Sequence, residues 1–128
     1  MSRIQKRTKE VRETIEHEWH ERYLQFINDN PDKPWDWQSI SSNPNITIDF
    51  INEHSDKPWD WYYISKNPNL TMEFVNNNPD KYWNWRWVSI NKFIKDKEKF
   101  IIKKYREHLA AILIQNAYKN ALVNENCQ

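Results

Sequence analysis

With 128 residues, 29% of them charged, and a net charge of +1, the chain has room for one domain and enough buried surface to fold without staples. It contains no glycine, which excludes Walker loops, GxGxxG dinucleotide turns and GxSxG nucleophile elbows, since each is built on a glycine backbone. One cysteine, Cys127, supports neither a disulfide framework nor a cysteine zinc site and points to a reducing compartment.

The N-terminal stretch MSRIQKRTKEVRETIEHEW is charged throughout and has no apolar core of the kind an export signal carries. No later run approaches the roughly 18 apolar residues of a membrane span, so the chain reads as soluble and not secreted. Within residues 1–30, Ile4, Val11, Ile15, Trp19, Tyr23, Phe26 and Ile27 recur at helical spacing. They predict a long N-terminal helix that runs into the first repeat. On it, HEWHE (17–21) is not the zinc motif HExxH, because Glu21 stands where the second histidine belongs. His17 and His20 are spaced to share an ion, but His54 and His108 are isolated in sequence. A solvated helix face is the preferred reading, and no metal or cofactor is assigned.

From 31 to 91 the chain repeats itself every 24 residues: NPDKPWDW (30–37) returns as HSDKPWDW (54–61) and NPDKYWNW (78–85). Phe26, Phe50 and Phe74 align, as do Ile40, Ile64 and Val88, and NPNIT (43–47) becomes NPNLT (67–71). Such self-similarity marks stacked units that bury their apolar faces against neighbours. Each unit reads as two short helices. Thr47 and Thr71 are N-caps of helices over 48–54 and 72–78, with Ile46 and Ile51, then Leu70 and Val75, as hydrophobic staples. Asp32, Asp56 and Asp80 are candidate caps of the second helix, with Pro34 and Pro58 in its first turn. That helix ends before Asn43-Pro44 and Asn67-Pro68. The asparagines at these joints suit the left-handed turns that glycine usually supplies.

Burying one tryptophan contributes at most about 4–6 kcal/mol, so the repeated tryptophans are read as core. Trp37, Trp61 and Trp85 precede Ile40, Ile64 and Val88 on one helix face and are expected to be the more buried set. A row of stacking sites for single-stranded nucleic acid is the weaker reading, because residues 28–90 hold five Lys/Arg against nine Asp/Glu, a net of −4. Trp19, Trp87 and the pair Tyr62-Tyr63 are expected to be partly exposed, and a partner gripped by the stack would touch them. The sequons Asn45-Ile-Thr47 and Asn69-Leu-Thr71 read as coincidences, because both threonines already serve as caps.

Residues 92–128 read as one long amphipathic helix with Ile101, Tyr105, Leu109 and Ile112, followed by a short tail. The segment 91–128 carries eight Lys/Arg against four Asp/Glu, a net of +4. Three roles stay open for it: capping the repeats, oligomerisation or a partner groove, and contact with calmodulin-like proteins. The last rests on Ile114-Gln115 followed by Lys119, an incomplete IQ pattern. Candidate partner-binding residues here are Lys103, Lys104, Arg106, Ile114 and Gln115.

With NPDKPWDWxxIS and NPNITxxF in view, the chain resembles the short Asn- and Trp-rich repeat proteins encoded by giant DNA viruses of protists. The resemblance covers residues 24–91, and KKYREHLAAILIQ is similar to the segment that follows such arrays. It implies a viral origin and a repeat architecture and transfers no active site. The combined expectation is an all-α single domain of stacked helical hairpins between long terminal helices, without catalysis. Its function would be a protein–protein interaction or structural role, in the virion or the infected host cytoplasm, with a viral or host protein as partner. The alternative is a nucleic-acid-associated protein that uses the basic C-terminal helix.

Overall fold

The computed structural model describes residues 2–126, which are helical in all their regular structure, with no strand among them. Two compact units divide the chain, Met1–Phe93 and Ile94–Gln128. Cys127, the basis of the redox reading, lies outside the described residues.

The first unit opens with α1 (Arg3–Asn28), which starts at a capping box: Ser2 Oγ accepts from Gln5 N at 3.2 Å, and Ser2 N donates to Gln5 Oε1 at 2.9 Å. The predicted stripe is helical as expected, but only Leu24 and Ile27 of α1 are buried, while Ile4, Val11, Ile15 and Trp19 stay exposed. Length explains this. At 1.5 Å per residue α1 runs about 39 Å, and the short helices that follow can flank only its last turns.

Those helices are α2 (Trp37–Ser41), α3 (Ile48–Glu53), α4 (Trp61–Ile64), α5 (Met72–Asn77) and α6 (Trp85–Ile90). Thr47 Oγ1 accepts from Phe50 N, and Thr71 Oγ1 from Phe74 N, both at 3.2 Å, so α3 and α5 start at the predicted caps. The second helices start four residues later than the DKP spacing predicts. Asp36, Asp60 and Asn84 cap α2, α4 and α6, whereas Asp32, Asp56 and Asp80 cap nothing. A tight turn occupies the intervening residues. Lys33 N donates to Asn30 O at 3.2 Å and Trp35 N to Lys33 O at 2.8 Å, and the pattern recurs in Lys57 with Trp59 and in Lys81 with Trp83. The second bond is a γ-turn centred on residue 34, 58 or 82, where the fixed φ of proline fits. Tyr82 takes the same turn without proline, so its absence does not change the local path.

In the second and third segments the turn also reverses the expected order of burial, while Trp35 and Trp37 of the first are both half-buried. Trp35, Trp59 and Trp83 each donate their indole N–H at 2.8 Å to the carbonyl at position 30, 54 or 78. Trp59 is 8% and Trp83 6% exposed, while Trp37 and Trp61 are half-buried and Trp85 is 62% exposed. These first tryptophans lie outside the helices, so a helical-face argument does not reach them. With Ile40, Ile46, Phe50, Ile51, Ile64, Leu70, Phe74 and Val75, Trp59 and Trp83 form one buried apolar cluster together with Leu24 and Ile27 of α1, and Trp35 packs against it.

Asparagine side chains join successive segments. The Asn67 amide is fully buried and Nδ2 lies 2.9, 3.2 and 3.2 Å from the carbonyls of Ser41, Asn43 and Ile46, while Oδ1 accepts from Asn69 N. Asn91 Nδ2 donates in the same way to Ser65 O and Asn67 O. Ser41 Oγ accepts from Asp60 N, and Ser65 Oγ from Asn84 N, each at 2.9 Å. None of the described asparagines has positive φ; Phe93 alone does, at 43°. The joints therefore close through side-chain hydrogen bonds and not through left-handed backbone.

The second unit is α7 (Ile94–Asn126), a single helix of 33 residues. From Lys97 to Glu125 every residue is exposed, including Ile101, Tyr105, Leu109 and Ile112.

Candidate functional site

Two surfaces hold the residues singled out in the sequence. On the first unit, Tyr62 and Tyr63 of α4 meet Trp87 of α6. Ring centroids are 4.8 Å apart for Tyr62 and Trp87, 5.4 Å for Tyr63 and Trp87, and 5.8 Å between the tyrosines. Tyr63 and Trp87 occupy equivalent positions 24 residues apart, so packing of one segment on the next brings them together. Tyr62 is 48% exposed; Tyr63 and Trp87 are half-buried. Lys66, which sequence reasoning missed, places Nζ 4.9 Å from the Tyr63 ring centre and 4.7 Å from that of Trp87. The cluster thus already satisfies a cation, the interaction aromatic faces favour. Its position three residues after Tyr63 on the α4 register is the signal that would have found it. Trp19, the other tryptophan expected at the surface, is 54% exposed and lies apart on α1.

On α7, Lys103 and Lys104 both reach Glu107, at 4.0 and 3.3 Å, and Lys104 Nζ also lies over Phe100. Arg106, Ile114 and Gln115 are exposed on the same helix. Phe100, Ile101, Ile102, Tyr105, Leu113 and Tyr118 are exposed as well, so apolar and basic side chains share its surface.

The HEWHE pair does not converge. His20 turns towards Phe50, with ring centroids 6.4 Å apart, and its buried Nδ1 has no hydrogen-bond partner. His17 instead lies beside Glu21 of α1 and Glu53 of α3, with donor atoms all within 4.8 Å. His54 Nε2 is 3.3 Å from Glu21 Oε1. Glu53 is far from α1 in sequence, and only the folded contact reveals it.

Burial pushes the Tyr23 hydroxyl above its ordinary value, partly offset by the hydrogen bond from Asn43 Nδ2. The Ser39 hydroxyl and backbone N–H hold the Asp36 carboxyl below the usual carboxylate value. At the sequons, Asn69 Nδ2 donates to Pro44 O and Ile46 O, which gives that side chain a packing role.

No protein-family profile, no curated protein and no solved structure matches this chain.

Proposed function

We propose that the chain is a non-catalytic interaction protein of a large DNA virus, in which 24-residue units stack as helical hairpins and α7 engages a protein partner. The observation that carries this reading is the run of exposed apolar side chains on α7, from Phe100 to Val123, on a helix that is also basic. Contiguous exposed apolar surface on a polar protein marks an interaction site. A helix that lays apolar side chains in a partner's groove is a common way to use one. The stack is supported by the 24-residue register of the asparagine and serine bonds, which link each segment to the next. The viral origin rests on the repeat motif alone. Location in the virion or in the infected cytoplasm is part of the same proposal, and detection of the chain in purified particles separates the two.

The test is capture of a partner from infected-cell lysate by the full chain and by the full-length variant Ile112→Glu/Leu113→Glu. Both substitutions fall at exposed positions, so helical content and thermal unfolding should stay unchanged while capture is lost. Equal capture by both proteins refutes α7 as the binding element. If the captured species is nucleic acid and dissociates steeply with salt, the phosphate-binding alternative replaces this reading.

A further inference from the structure

We infer that His17, Glu21 and Glu53 form a site for a divalent transition cation of the zinc class, which ties α1 to the end of α3. His17 and Glu21 are one helical turn apart on α1, so both side chains leave the same face. Glu53 is the last residue of α3 and completes a set whose donor atoms lie within 4.8 Å of one another. Two carboxylates and one imidazole then converge from two elements of a single compact unit. Carboxylates held this close repel each other, and a cation between them removes the repulsion.

The donor set selects the metal. Calcium and magnesium take oxygen donors, whereas an imidazole nitrogen beside carboxylates suits zinc, cobalt or nickel. Zinc bonds of about 2.0–2.1 Å place tetrahedral donors about 3.4 Å apart, so the side chains have to close by about 1 Å or more. His17 and Glu53 are exposed and Glu21 is half-buried, and their rotamers have that freedom. His54 follows α3 directly and holds its Nε2 3.3 Å from Glu21 Oε1. In the tautomer protonated at Nε2 it donates to that carboxylate and fixes its direction, the part outer-shell groups play around bound metals. Three protein donors leave the remaining coordination position to water.

This inference is independent of any partner for α7. It is tested on the full chain with Co2+ as a spectroscopic probe and Zn2+ as competitor. Saturable binding of one Co2+ per chain is expected, with visible absorption of low-symmetry coordination that Zn2+ abolishes, and unfolding should shift to higher temperature when metal is present. His17→Ala and Glu53→Gln should each weaken binding about tenfold or more, while His108→Ala should leave it unchanged. Both substitutions near the site fall at exposed positions, and circular dichroism checks that the variants fold. No saturable binding up to millimolar metal, or an affinity that survives either His17→Ala or Glu53→Gln, overturns the site.

Discussion

Within each DKxWxW segment the first tryptophan is tied down by an indole hydrogen bond to a carbonyl five residues back, and in the first two segments the second packs edge-on against the first tryptophan of the next. Trp37 meets Trp59 at 5.3 Å and Trp61 meets Trp83 at 5.4 Å, with interplanar angles of 85° and 87°. Position 107, next in register after Trp83, is Glu107, and Trp85 is exposed. Equal residues at equal spacing therefore carry unequal energy. Trp59→Ala should cost about 3–5 kcal/mol, whereas Trp85→Ala should stay within about 0.5 kcal/mol; urea unfolding of the two variants measures the difference. Asp36 gives a second residue-scale prediction. Its folded-state pKa lies below the ordinary 3.8, so the stability it adds is complete above that value and is lost as pH falls through the lower folded value. Asn84 caps α6 through the same bonds without titrating. Asp36→Asn should keep the cap and make acid unfolding, followed by circular dichroism, less steep on its upper limb.

Helices of four to six residues have no independent stability, so the bonds between them decide whether they exist. Asn67 is the clearest case, with one buried amide serving carbonyls of three earlier residues. Asn67→Ala should cost about 2–3 kcal/mol, because it strips the buried Ser41 carbonyl and the Asn69 N–H of their partner, while Ile46 O keeps Asn69 Nδ2 and Asn43 O keeps Ile46 N. Thr47→Ala removes only the α3 cap and should cost about 1 kcal/mol. Denaturant midpoints at unchanged slope give both values. The threonine caps were legible because cap and staple lie within five residues of each other. The start of α2, α4 and α6 was not, since DKPWDW and its relatives offer an acidic or amide cap at either end of the turn, and the choice belongs to an indole bond that no local propensity encodes. The role given to the asparagines failed similarly: their composition suggests left-handed turns, while the fold uses their amides as ties across a 24-residue separation. Of the candidate site, Tyr63 over Trp87 follows from the repeat register, but Glu53 beside His17 does not follow from any spacing.

Charge and apolar surface are unevenly distributed along the whole chain. Residues 28–90 carry a net of −4 and all of the buried core but Leu24 and Ile27, and 91–128 carry a net of +4 on a helix whose apolar side chains are exposed. A 33-residue helix that buries so little draws its stability from backbone bonds and a few i,i+3 and i,i+4 pairs such as Lys104–Glu107, each worth about 0.2–0.5 kcal/mol. Local opening of α7 should therefore be frequent, and its amides should exchange far faster than those of Phe50, Ile64 and Leu70, which are buried in the cluster. Hydrogen exchange read by mass spectrometry on the full chain checks this directly. The same measurement on a captured complex locates recognition. New protection across 101–114 identifies α7 as the element that orders against the partner. Protection confined to Tyr62, Tyr63 and Trp87 moves recognition to the aromatic cluster, where a partner cation would have to displace Lys66 from the rings it already covers.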